Sequence, residues 1–142
     1  MPSGVDVGSE KTKIEETYRA HPTLRGLFAV DAGSTAGVAA VMQEHGLHAH
    51  GVRAGGYDLL PQTLQAIFAG ELDFAIDQQP YLQGFLPVLQ LFLDRYSGGL
   101  VAPADTNTGL NFVTRANVAE YVTTQSRFEG SASRESYPVA SK

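Results

Sequence analysis

The sequence predicts an α/β fold, a parallel sheet with flanking helices, and three observations carry that prediction. Short continuous apolar runs such as Leu27–Val30 and Leu72–Ile76 have the length and composition of buried strands. Between them lie stretches with apolar residues three and four apart, the spacing of one helix face. The two patterns alternate along the chain at the short pace of βαβ units, which place successive strands parallel. A chain of 142 residues with 43% hydrophobic and 18% charged residues suits one globular domain with one hydrophobic core.

Val5–Val7 is a short strand candidate. Ser9 then caps a helix that presents Ile14 and Tyr18 at i,i+4 and ends before His21-Pro22. Leu27–Val30, bounded by Gly26 and Asp31, reads as a strand buried on both faces. Ser34 or Thr35 begins a second helix with Val38, Val41 and Met42 inward and Gly46 as its stop. Val52–Gly55 is the next strand, and Gly55-Gly56-Tyr57-Asp58 turns off its end. Pro61 suits the first turn of a helix carrying Leu64, Ile67 and Phe68, closed by Gly70. Leu72–Ile76 is a fourth strand, leading into Asp77-Gln78-Gln79-Pro80. Tyr81–Tyr96 is a helix apolar almost all round, which requires partners on several sides, with Pro87 inside it and Ser97-Gly98-Gly99 ending it. Leu110–Thr114 is a last strand and Ala116–Val122 a last short helix, after which a Ser-, Thr- and Gly-rich tail follows.

Composition excludes several functions. A formal charge of −5 argues against binding nucleic acid or an anionic membrane face. The absence of cysteine removes disulfides, thiol nucleophiles and thiolate metal sites. No segment reaches the ~20 apolar residues that span a bilayer, and the start Met1-Pro2-Ser3-Gly4 lacks the pattern of a secretion signal. Gly55-Gly56 lacks the lysine of a phosphate loop and the third glycine of a dinucleotide fingerprint. There is no Gly-x-Ser-x-Gly elbow, and His48 and His50 read as residues of a solvated loop. Neither a cofactor nor a metal ligand set is expected.

Three strands finish on polar groups: Asp31, Asp58, and Asp77 with Gln78. Parallel strands share a direction, so their carboxyl ends gather at one edge, outside which ligands of open α/β sheets bind. Each aspartate could equally be a helix N-cap that satisfies otherwise orphaned amides. Their coincidence at one edge favours a binding site, and the chemistry suits a polyhydroxyl ligand, because a carboxylate accepts several hydroxyl hydrogen bonds and these are of the stronger, charged kind. Gln78 can donate and accept. The alternative is a small doubly wound enzyme or receiver-like domain that holds a divalent cation on the same carboxylates, with Arg25 or Arg53 for a phosphate.

Three segments together resemble the periplasmic sugar-binding proteins of the ribose-binding type, solute receptors of ABC importers. They are Phe28-Ala29-Val30-Asp31-Ala32-Gly33, Gly55-Gly56-Tyr57-Asp58 and Ile76-Asp77-Gln78-Gln79-Pro80-Tyr81-Leu82-Gln83-Gly84, with Asn107-Thr108-Gly109-Leu110 following. The resemblance covers most of residues 5–123. It implies a non-catalytic, two-lobed type I periplasmic clamp closing on a monosaccharide or related polyol. It also implies a periplasmic location and ABC membrane subunits as partners of the full-length protein. Asp31, Asp58 and Gln78 would bind the sugar, and Gln79 and Pro80 would form a hinge. Asp31 stands where relatives often carry asparagine, so the hydroxyl pattern recognised would differ.

The same resemblance divides the chain. Residues 1–79 would be an incomplete carboxy-terminal lobe, 80–108 the hinge crossing and apolar helix that packs on the other lobe, 109–123 a return segment, and 124–142 a tail. Relatives run to about twice this length. The amino-terminal lobe, and the first strand and helix that fill the middle of the carboxy-terminal sheet, are therefore expected to be missing. Unpaired strand edges and an uncovered apolar helix would follow, inviting self-association or rearrangement.

Overall fold

A computed structural model describes residues 6–101 and 105–123, which fall in two compact units, one of residues 6–76 and 112–123 and the other of the described residues between 77 and 111. The elements are α1 (Val7–Ala20), β1 (Gly26–Phe28), α2 (Ala32–Glu44), β2 (Arg53–Tyr57), α3 (Pro61–Ala69), β3 (Phe74–Asp77), α4 (Pro80–Ser97), β4 (Asn111–Thr114) and α5 (Val118–Thr123). The strands form one sheet in the order β1-β2-β3-β4, and β1 with β2 and β2 with β3 are parallel. The four strands are contiguous, so the open edges are the outer sides of β1 and β4 rather than a gap within the sheet.

In the first unit, α1 packs on α2, α2 on β1, β2 and α3, and α3 on α5. A single buried cluster runs through them, from Ile14 by way of Val38, Val41 and Met42 to Leu64, Ile67, Val113 and Val118. On this face the sheet contributes Leu27, Ala54 and Ala75, small enough for α2 to lie close. The register Phe28–Gly55–Phe74 puts the other face in view. There the ring of Phe74 stands 6.0 Å from that of Phe28 and 5.5 Å from that of Phe112. Phe28 is 63% and Val30 82% exposed, so β1 is covered on one face only, not on both as its apolar run suggested.

Several element boundaries differ from expectation for identifiable reasons. Val7 opens α1 instead of a strand, and Val5 lies outside the described residues. Asp6, not Ser9, caps α1, its carboxylate accepting the Ser9 N–H at 3.0 Å. Likewise α2 starts at the Asp31 cap, so Ser34 and Thr35 are inside its first turn. β2 runs on through Gly55, Gly56 and Tyr57, which were expected to be turn residues. Phe68 points outward from α3 and is 57% exposed. The expected tail from 124 lies outside the described residues.

One joint fixes α2 to the sheet. Thr35 is fully buried; its hydroxyl donates to the Asp31 carbonyl at 2.7 Å and accepts the Tyr57 N–H at 3.0 Å. A Cβ on Gly56 would lie 2.2 Å from that hydroxyl, so only glycine permits this approach. In the second unit, the segment after α4 returns along the helix, with Gln90 donating to Thr106 and Thr108 donating to the Gln78 carbonyl at 3.1 Å. No residue of α4 is buried.

Replacing Thr35 by valine keeps the shape but leaves the Tyr57 N–H without its acceptor. The expected loss is about 1–3 kcal/mol of unfolding free energy, the cost of orphaning a buried donor. Urea denaturation of both proteins measures it, and equal midpoints would mean that the joint is not a stabilising element.

Candidate functional site

The shared direction of β1, β2 and β3 brings their carboxyl ends to one edge of the sheet. Asp31 follows β1 there and Asp58 immediately follows β2. Asp31 is the N-cap of α2: one carboxylate oxygen accepts the Ser34 N–H and the other the Ser34 hydroxyl, both at 2.8 Å. The capping role considered for it is therefore real. Two of the roughly four lone-pair positions of a carboxylate are used this way, and the side chain is exposed, so further acceptor capacity remains.

Asp58 is held differently. Its backbone N–H donates to the Ile76 carbonyl at 2.9 Å, and its φ of +66° lies in the left-handed region. Among the described residues only Asp58 and Gln79 (φ +55°) have positive φ without being glycine. That conformation costs an L-residue roughly 1 kcal/mol and persists where the surroundings over-determine it. Asp58 turns the chain from β2 towards α3 and leaves its half-buried side chain at the strand end.

Gln78 belongs to the second unit. Its carbonyl accepts from the Gln83 amide at 2.9 Å as well as from Thr108. Asp77 next to it accepts the Gln79 N–H at 2.8 Å, tying the backbone ahead of α4. Gln78, Gln83, Asp105, Thr106, Asn107, Thr108, Gly109 and Leu110 line an open cleft of about 600 Å³. The polar run Asp105–Thr108 was legible as polar, but its return beside Gln78 depends on where α4 ends. Pro80 is exposed and begins α4 directly after Gln79.

Other polar groupings do different work. Arg53 pairs with Asp73 at 2.9 Å, and the second Asp73 oxygen accepts the Ala54 N–H at 2.8 Å. Burial pushes the Asp73 carboxyl up, but these bonds and His48 together hold it below its ordinary value. Arg53 opens β2 and Arg25 precedes β1, so both arginines lie at the strand ends away from Asp31 and Asp58. His48 and His50 occupy the turn before β2, as expected of loop residues. Glu15, Glu44 and His45 offer oxygen and nitrogen atoms within 4.8 Å of one another. Arg19 already pairs with Glu15 at 2.7 Å and Lys11 with Glu44, which makes the group an ion-pair network.

Residues 3–93 match the family described as periplasmic binding protein domain. The xylose/arabinose-binding protein XylF of Sulfolobus acidocaldarius is 49% identical over 136 residues, which are 93% of this chain and 34% of that protein. The chain thus spans about a third of the length of this relative. Among solved structures, an ABC transporter solute-binding protein from Burkholderia graminis in complex with D-arabinose superposes with a TM-score of 0.72. It is 31% identical over 83% of this chain and 41% of its own. A carbohydrate transporter solute-binding protein from Agrobacterium radiobacter, also with D-arabinose, gives 0.71 at 25% identity, covering 82% and 38%. These likenesses do not support the alternative of a cation-dependent enzyme or receiver domain, and the arginines at the far strand ends are not placed to serve it.

Capping predicts a graded response at Asp31. Asp31→Ala should lower the unfolding free energy by about 1 kcal/mol, whereas Asp31→Asn, an equally good cap, should leave it nearly unchanged. Equal losses in chemical denaturation would show that the cap contributes little.

Proposed function

This chain belongs to the periplasmic binding protein domain family, and from that premise we propose that it is a non-catalytic sugar-binding module of an ABC importer. In this reading it supplies the carboxy-terminal part of an extracytoplasmic site for a monosaccharide, and the class of sugar is a pentose. The observation that carries the reading is the placing of Asp31 and Asp58 at one carboxyl edge of the parallel strands, with Asp58 held in a left-handed turn.

Asp31 and Asp58 accept hydroxyl hydrogen bonds, and Gln78 adds a group able to donate or accept. Charged acceptors suit a neutral sugar because hydrogen bonds to an ionised group are the stronger kind. The pentose assignment is supported by the relatives, one carrying xylose and arabinose in its name and two holding D-arabinose. Gln79 and Pro80 are the hinge in this reading. A residue with positive φ directly before a proline-initiated helix supports it, since hinges concentrate backbone change at element ends. The membrane subunits of the importer are the partners of the full-length protein.

A thermal-shift series of the 142-residue chain with xylose, arabinose, hexoses, inositols and magnesium tests the assignment. A pentose should raise the melting temperature by mass action, with the logarithm of its concentration over its dissociation constant, and Asp58→Ala should abolish that rise. A rise with magnesium alone would sink the receptor reading.

The apolar helix favours a second property, self-association of the isolated chain. Along α4, Phe85, Val88, Leu91, Phe92 and Tyr96 are all exposed. In the full-length protein this face packs on the other lobe, and in the isolated chain a second copy covers it. Light scattering should therefore give a mass above the monomer's, reduced by Phe85→Ser with Phe92→Ser. A monodisperse monomer would end the idea.

A further inference from the structure

Glu10 lies in the first turn of α1 and is only 6% exposed, and its Oε2 atom has no hydrogen-bond partner. It presses on Gly33, the second residue of α2, where a Cβ would come within 2.2 Å of Oε2. The amino end of a helix ordinarily welcomes a carboxylate, but each helix end here already carries a capping carboxylate. Asp6 accepts the Ser9 amide at the start of α1 and Asp31 the Ser34 amide at the start of α2. Glu10 is thus a third carboxyl beside two ionised caps. The nearest cations along its helix are committed elsewhere, Lys11 to Glu44 at the far end of α2 and Lys13 to Glu16. The remaining titratable groups where α1 meets α2, Glu15 and His45, pair with each other at 3.3 Å. Burial first, then the charges of Asp31 and Asp6, push the Glu10 carboxyl above its ordinary value.

We propose that Glu10 is a positioning residue for Asp31: its neutral carboxyl seals α1 against the first turn of α2, and its ionisation loosens the Asp31–Ser34 cap. The proposal rests on the sugar-binding reading only in making the position of Asp31 matter to a ligand. The sign follows from linkage. A folded-state pKa raised above the unfolded value means that the native state holds the proton longer. The stabilisation is complete below the unfolded value, near 4.5 for this group. It is lost as pH rises through the folded one.

The test compares the full chain with Glu10→Gln and Gly33→Ala between pH 4 and 8. Gly33→Ala evicts the carboxyl from its slot while leaving Glu10 in the chain. Folding equilibrium constants of wild type and Glu10→Gln from urea titration should agree at pH 4, then diverge by about fivefold or more by pH 8 with the variant the more stable, while Gly33→Ala, whatever its constant offset, should show the flat profile of Glu10→Gln. Amide-exchange protection at Ser34 should fall by a similar factor in the wild type alone. Parallel stability profiles, or Ser34 protection that follows the same course in wild type and Glu10→Gln, would overturn the proposal. A pentose titration separates it from the reading it rests on. If no pentose binds either protein at any pH, the sugar assignment fails, while diverging Ser34 protection still upholds the role of Glu10.

Discussion

The contact between the Thr35 hydroxyl and the backbone of β2 is the constraint on which the carboxyl edge of the sheet depends. Thr35 accepts the Tyr57 N–H and returns its own proton to the Asp31 carbonyl, and Gly56 makes room for it. One buried hydroxyl therefore links the last residue of β2 to the N-cap of α2. Asp31 is that cap and Asp58 is the next residue after Tyr57, so the same bond fixes the backbone beneath both carboxylates. A serine would keep the hydrogen bonds but lose the methyl group, while valine would keep the bulk and lose the bonds. Threonine satisfies both demands at a position with no access to water.

Much of the fold was legible because apolar spacing sets it. Val38, Val41 and Met42, or Leu64 and Ile67, can be buried together only on helices, and they are. The helix starts were less legible. Ser9 and Ser34 are good caps by residue type, yet Asp6 and Asp31 three residues earlier take that role, and the serines become the donors that the aspartates receive. Where the backbone turns helical decides between them, and residue type alone does not report that. The exposure of Phe28, Val30 and Phe68 was illegible for another reason: an apolar residue shows that a face can be buried, not that something covers it. The positive φ of Asp58 and Gln79 carried no glycine to announce it. Nothing in the sequence marks Glu10, an acid in a first turn, as buried.

The two apolar exposures differ in what they imply. On the sheet, Phe28, Phe74 and Phe112 form a ridge whose rings contact one another, so part of their surface is sheltered without any covering layer. Along α4 the rings of Phe92 and Tyr96 stack at 5.9 Å, but no residue of the helix is buried. Helices in proteins draw most of their stability from packing an apolar face rather than from intrinsic propensity. An 18-residue helix with Gly84 and Pro87 inside it is poorly placed to stand on propensity. Its composition makes sense only against a partner surface.

In the sugar-binding reading proposed above, Asp31 combines two duties that are usually separate. As a cap it is pinned by the Ser34 amide and hydroxyl, which removes rotamer freedom before any ligand arrives. A binding group ordered in advance loses less entropy on complex formation, and this is how a few polar contacts can select a small neutral molecule. The arrangement carries a cost, since an anion fixed at the head of α2 repels any other carboxyl brought near it. Glu10 meets that condition in a buried position, where burial and the nearby carboxylates push its carboxyl above its ordinary value. In the proposed reading, the pinning that prepares Asp31 for hydroxyl groups also raises the carboxyl of Glu10 on the neighbouring helix, so that capping, electrostatics and binding at this edge share one physical origin.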